Sequence, residues 1–426
     1  MKPFRPTCAS LALLLLFGSA PEAPAAPATA WRFAFDDRPP TGFTRVLPEM
    51  AYAPQRGFGF EAGTKPAGEQ PFFFSADVPE GNYRVTAALG DERAASDTTI
   101  KAELRRLMIE HVVIAAGKTQ TVSFVVNVRT PKIGATGDLK EGAVKLKAPR
   151  ETEQEAWAWD EKLTLEINGA RPALRTLEIQ RVDGPTIFLL GDSTVCDQPR
   201  EPFASWGQML PRFFRPAVAV ANHGESGESY SASLGRRRID KIVSALQRGD
   251  VVVMQFGHND QKERGEGTGP FLNYQQNIKR HVTMIRSRGG IPVIVSPMER
   301  RAFDDQGKVR RSLADYAEAA RQAATENACA FIDLNAISVP FYETLEARGK
   351  DFSRRAFAGQ DNTHHNNYGA YELAKGIAQG LRDAKLEVAK YLVDDFRGFD
   401  PRHPDPVEAF ALPASPGLQG TRPLGN

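Results

Sequence analysis

Cysteine is scarce in this chain, with three in 426 residues. Cys8 falls inside an N-terminal segment expected to be removed, so Cys196 and Cys329 remain, enough for one bridge and no disulfide framework. Two separate buried thiols are the expectation. An excess of charge is missing as well: 54 Lys and Arg face 52 Asp and Glu, a net charge of +2, and nothing in that total calls for a nucleic acid or another polyanion as partner. Long apolar runs are also lacking. The stretch "LALLLLF" is much shorter than the roughly 20 residues a membrane span requires. Lys2 and Arg5 precede it and a run of Ala, Pro and other small residues follows, so residues 1–30 read as a secretory signal peptide; "ATA", ending at Ala30, is the first candidate cleavage site, with upstream "APA" sites as alternatives. The expected product is exported, periplasmic or extracellular, and not inserted in a membrane after cleavage.

What is present changes character near residue 182. From Trp31 to about Gln180 the chain carries short alternating runs such as "PFFFSADV", "NYRVTAAL", "TVSFVVNV" and "LTLEIN", punctuated by "PEGN", "AGKTQ" and "INGA". Period-two alternation at this spacing predicts a β-sandwich over residues 31–180. Its one histidine is His111, and little else in it suggests chemistry. A chain beginning near Val182 is therefore expected to keep its activity on a small substrate. After "RVDGP" come continuous apolar runs, "TIFLL", "AVAVA", "VVVMQF", "IPVIVS" and "AFIDL". Between and after them lie "YQQNIKRHVTMIRSR", "SLADYAEAARQAATEN" and "NNYGAYELAKGIAQGLRDA", with apolar residues at helical spacing. Strands alternating with helices predict an α/β domain over residues 184–395, a parallel sheet covered on both faces. Residues 400–426 are Pro-rich and read as a poorly ordered tail.

In an open parallel sheet the ligand crevice lies beyond the carboxyl ends of the strands. Polar residues gather at those points here. "GDS", containing Ser193, follows the first run; "NHGESGESY" follows the second, "GHND" the third, and "DNTHHN" comes later. Taken singly, each is ordinary turn chemistry. A serine nucleophile needs a base, and histidine is the natural one because it titrates near neutral pH. Of His223, His258, His281, His364 and His365, only His364 has a carboxylate close by in sequence, Asp361 three residues before it. The order Ser193, Asp361, His364 is that of the α/β hydrolases, although their Gly-x-Ser-x-Gly elbow is missing. His258, Asp260, His364 and His365 show no His-x-x-x-His spacing that would favour a metal, and none is expected.

In that order, "GDS", a glycine after the second strand, "GHND" and "DNTH" resemble the four signature blocks of the SGNH, or GDSL-type, hydrolases. More narrowly, "GDSTVCDQ", "NHGESGES", "QFGHNDQK", "SPMERRAFD" and "DNTHHNNYGA" are similar to rhamnogalacturonan acetylesterases over about residues 184–390. The β-rich N-terminal part is similar in layout to galactose-binding-like sandwiches. The resemblance implies a flavodoxin-like three-layer α/β/α domain and a cofactor-free serine esterase. It implies Ser193 as nucleophile, His364 as base and Asp361 as its orienting partner. The oxyanion hole would be the backbone N–H groups of Ser193 and Gly227 with the side-chain amide of Asn259. The implied substrate is an acetylated plant polysaccharide, rhamnogalacturonan first. Another acetylated glycan such as xylan is the alternative, and a non-catalytic carbohydrate-binding protein the rival from another class.

Arginine pairs and triples recur, at Arg236–Arg238, Arg300–Arg301, Arg310–Arg311 and Arg354–Arg355. Most such runs are solvated faces. Arg300 and Arg301 follow the fourth apolar run on the catalytic edge, where a guanidinium could bind galacturonate carboxylates through paired hydrogen bonds. They are the candidate substrate-binding residues.

Overall fold

The computed structural model describes Met1, residues 30–61 and residues 63–416. The export signal read over residues 2–29, and the last ten residues of the chain, lie outside the described residues. Among these residues no helix is long and apolar enough to cross a membrane.

The N-terminal part forms two five-stranded sheets. One is built around Ala30–Ala34, Gly81–Leu89, Gln120–Val128 and Leu174–Arg181. The other holds Phe58–Phe60, Phe72–Asp77, Ser96–Ala102, Arg106–Ile114 and Lys162–Arg171. Alternation decides which face is buried. Tyr83, Val85, Ala87 and Leu89 of the first sheet and Phe72, Phe74, Leu165 and Ile167 of the second point into one shared apolar core, while Arg84 points out.

The second half holds a parallel sheet of five strands: β1 (Thr186–Gly191), β2 (Ala219–Asn222), β3 (Val251–Gln255), β4 (Ile291–Val295) and β5 (Ala330–Ile332). Their spatial order is β2-β1-β3-β4-β5. The apolar runs are continuous because both faces are covered. Ile187, Leu189, Val251, Val253, Val293 and Val295 pack on one side with helices Trp206–Met209, Leu334–Glu346 and Asn367–Asp383. Phe188, Leu190, Val252, Met254 and Ile294 pack on the other with Arg238–Ala245, Gln275–Arg286 and Ala314–Glu326. Because the chain steps one way from β1 to β2 and the other way from β2 to β3, the connections diverge at the ends of β1 and β3. A crevice opens there.

The stretch read as a loose tail is ordered as far as the structure describes it. Residues 413–415 lie across the outer face of the second N-terminal sheet. Lys101 Nζ donates to the Pro413 carbonyl and to Ser415 Oγ, both at 2.7 Å, and Ser415 Oγ donates to Glu166 at 2.7 Å. Asn168 Nδ2 holds the Ala414 carbonyl at 2.9 Å. An extended strap of this kind borrows its hydrogen bonds from side chains of another element, so it shows no periodicity of its own. Cys196 and Cys329 are both unpaired thiols, the first buried and the second half-buried.

Truncation after Leu412 strips Lys101 of two of its acceptors while leaving Glu166. Hydrogen bonds to a charged group contribute about 1.5–3 kcal/mol each, so denaturant titration of the truncated chain should show a loss of at least about 1.5 kcal/mol in the N-terminal unit's transition. An unchanged midpoint would mean the strap is ornamental.

Candidate active site

Ser193 stands two residues beyond the end of β1, on a turn that the sheet compels. Gly191 pairs with Gln255 of β3, and a Cβ there would come within 2.5 Å of the Gln255 carbonyl oxygen. Glycine is therefore the residue that lets β1 run against its neighbour to the last position. Asp192 then folds the turn by accepting from Thr194 N at 2.9 Å and from Thr194 Oγ1 at 2.7 Å. Gln198 Nε2 donates to the Ser193 carbonyl at 2.7 Å. The result is a serine held rigidly on a short polar loop, its side chain turned away from the core.

His364 Nε2 lies 2.8 Å from Ser193 Oγ, and its Nδ1 lies 2.9 Å from Asp361 Oδ2. The other carboxylate oxygen, Oδ1, accepts the backbone N–H of Thr363 at 2.6 Å and of His364 at 2.9 Å. One carboxylate thus orients the ring and shapes the loop that carries it. These hydrogen bonds and the imidazole hold the Asp361 carboxyl well below the usual carboxylate range, against burial. As an ionised carboxylate can only accept, the imidazole proton sits on Nδ1 and the Nε2 lone pair faces the serine hydroxyl. The edge of Phe203 covers the ring, with centroids 6.0 Å apart. Ser193 and His364 are each only 6% exposed, so the proton relay is screened from bulk water.

The neighbouring His365 faces the opposite way. It is buried between Tyr342 and Phe357, with Nε2 2.8 Å from the Tyr342 hydroxyl. Burial pushes its pKa down to about 3, so it stays neutral and serves packing. Asn366 caps the following helix by accepting from Gly369 N at 3.1 Å.

The loops after β2 and β3 meet beside Ser193. Glu225 N donates to the Gly191 carbonyl at 2.9 Å, which lays the 224–228 loop alongside the β1 turn. Asn259 Nδ2 donates to the Glu228 carbonyl at 3.0 Å, and Asp260 Oδ1 accepts from Tyr230 N at 3.0 Å. The side chains of Asn259 and Asp260 therefore staple the loop containing Gly227, whose φ of +74° is one that glycine adopts without strain. Burial pushes the Asp260 carboxyl up to about 8, in keeping with a structural role.

An open pocket of about 320 Å³ lies over Ser193, lined among others by His258, Asn259, Lys262, Arg300, Asp361 and His364. The two candidate arginines separate here. Arg300 faces the pocket, its Nη1 donating to Gln261 at 2.8 Å. Arg301 does not: it is buried, with Nε on Ser353 at 2.8 Å and Nη2 on Asp351 at 2.6 Å. Its substrate-binding assignment is withdrawn, because neighbours in a chain leaving a strand point to opposite sides. Lys262, three residues beyond Asn259, is an exposed cation on the pocket rim that sequence reasoning passed over. His258 is a second unanticipated feature. Its Nδ1 lies 3.2 Å from Asp192 Oδ2, which ties the β3 end to the turn carrying Ser193.

The family model described as the GDSL-like lipase/acylhydrolase family matches residues 189–371. The rhamnogalacturonan acetylesterase RhgT of Bacillus subtilis is 36% identical over 222 residues, which are 49% of this chain and 94% of that protein. The chain belongs to the GDSL-like lipase/acylhydrolase family. A second B. subtilis protein, described as the probable rhamnogalacturonan acetylesterase YesY, is 28% identical over 49% of this chain and 98% of its own length. The uncharacterised esterase YxiM of the same organism is 22% identical over 90% of this chain and 98% of its own length. As a member of this family the chain is a carboxylic ester hydrolase.

Three substitutions test the geometry on p-nitrophenyl acetate. Ser193→Ala should lower kcat by about 10⁴-fold or more, and His364→Ala should approach that loss. His365→Ala should keep most of the activity and lower the melting temperature instead, since it empties a packed site. The reverse order of severity for the two histidines would transfer the base to His365.

Proposed function

We propose that the chain is an exported serine esterase that removes acetyl groups from a plant cell-wall polysaccharide, rhamnogalacturonan above others. The observation that carries this reading is the hydrogen-bonded line Asp361–His364–Ser193 opening on a pocket rimmed by two cations, Arg300 and Lys262. The reaction needs no cofactor. Ser193 Oγ attacks the acetyl carbonyl carbon while its proton passes to His364 Nε2. The tetrahedral oxyanion is received by the N–H groups of Ser193 and Gly227 and by the Asn259 amide. These are fixed dipoles that need no rearrangement as the charge forms. The carbon–oxygen bond to the sugar then breaks and the imidazolium returns its proton to the sugar oxygen. Water, activated by the same His364, attacks the acetyl-enzyme, and acetate leaves with Ser193 restored.

Rhamnogalacturonan is favoured over xylan for two reasons. The relatives RhgT and YesY are described as rhamnogalacturonan acetylesterases, and its galacturonate carboxylates match Arg300 and Lys262, whereas a neutral xylan backbone has nothing to offer them. To the N-terminal unit we assign a galactose-binding-like layout and a role in holding the polymer. Between its end loops lies an open groove of about 630 Å³ lined by Arg38, Arg93, Arg171 and Arg175 as well as Asp36, Asp37 and Asp91.

Acetate release measured side by side on acetylated rhamnogalacturonan, homogalacturonan and xylan tests the substrate. Release should be fastest on rhamnogalacturonan. Arg300→Gln should raise KM for that polymer by about tenfold, the worth of one charge-assisted hydrogen bond, and leave p-nitrophenyl acetate untouched. Preference for xylan, or no release from any of the three, would defeat the assignment.

A further inference from the structure

The loop carrying Gly227 is held from the N-terminal unit. It contains two carboxylates, Glu225 and Glu228, both fully buried. Such charges are tolerated only when paired, and residues 147–151 supply much of the pairing. Arg150, itself 2% exposed, places Nη2 2.6 Å from Ser226 Oγ and Nε 3.2 Å from Glu225. Lys147 Nζ donates to the Ser226 carbonyl at 2.5 Å and sits 2.6 Å from Glu228. The hydrolase adds Arg236, 3.2 Å from Glu228, and Arg238, which pairs with Glu151 of the N-terminal segment. Arg150 is fixed in turn by Glu155 at 2.7 Å. Ser226, immediately before Gly227, therefore has its hydroxyl and its carbonyl both gripped by cations from outside the hydrolase domain.

Asn259 grips the carbonyl of Glu228, two residues further along, from the hydrolase side. The Gly227 peptide is thus suspended between two anchors, and one of them is Arg150 with Lys147. Without that anchor Glu225 and Glu228 would turn toward water, and φ at Gly227 has no side chain to limit it.

We propose that Arg150 and Lys147 are positioning residues for ester hydrolysis: they hold the 224–228 loop so that the Gly227 N–H meets the oxyanion, which makes the N-terminal unit part of the oxyanion hole. This rests on the assignment of Gly227 to that hole. It runs against the expectation that a chain beginning near Val182 still cleaves a small ester.

The test uses the full chain and p-nitrophenyl acetate, well below the melting temperature. Loss of one oxyanion donor lowers kcat by about 10²- to 10³-fold. Arg150→Met should therefore lower kcat by about 10²-fold and Lys147→Met by about tenfold, with KM changed by less than about threefold. Arg150→Lys, which keeps the charge, should recover most of the loss. Lys101→Met serves as the control: it breaks a pair equally buried in the N-terminal unit, whose partners are Glu166, Pro413 and Ser415 rather than residues of the loop, and kcat should hold. Folded Met variants at positions 150 and 147 with kcat within threefold of the parent overturn the proposal, and so does an equal loss in Lys101→Met. If Arg150→Met does not fold, Lys147→Met alone decides by the same criterion. Full activity of Ser193→Ala would instead refute the serine mechanism. A dead Ser193→Ala with unaffected Arg150 and Lys147 variants refutes the anchor alone.

Discussion

A carboxylate that cannot take up a proton at working pH is the constraint from which the site follows. Asp361 accepts from the imidazole with one oxygen and from two backbone N–H groups with the other. That fixes which nitrogen of His364 is bare, and hence where a serine hydroxyl must stand to be activated. The remainder of the hydrolase domain brings Ser193 to that point from 171 residues away in the chain. It does so through a strand end that glycine alone can close against its neighbour, and through a turn wound around Asp192.

Much of this was legible in the sequence because the residues concerned are local. Asp361 and His364 are three apart, and the strand ends are marked by abrupt changes from apolar to polar. Three amphipathic helices were read correctly from their periodicity. The helix Leu334–Glu346 was not singled out: Pro340 lies inside it, and its apolar residues are too many for a clear polar face. His365 could be set aside only partly in advance. Its partner Tyr342 is 23 residues upstream, and no spacing rule connects them. Arg300 and Arg301 looked equivalent as a pair, and only the direction of each side chain separates them.

What the sequence hid altogether was the interface. Arg150, Glu151 and Glu155 lie in a charged run, "RETEQE", that by itself gives no sign of burial, yet all three are buried. Across the interface Arg150 meets Glu225 and Glu151 meets Arg238, partners more than seventy residues away in the chain. Composition cannot show such a match, since opposite charges cancel in the total whether they are dispersed in water or locked together in the interior. The near-zero net charge of the chain conceals a dense buried network of this kind. The likeness to YxiM over most of both chains covers the two halves together, as a shared interface requires.

The strap over residues 413–415 has a consequence for the order in which the molecule can be completed. Lys101 and Glu166 are made early, and the groups that cover them come 312 and 249 residues later. During synthesis the outer face of the second sheet must remain wet, with its lysine and glutamate solvated, until residues 413–415 have been made. The N-terminal unit is therefore sealed only after the whole hydrolase domain has been made, and a product cut short before residue 413 leaves this seam open.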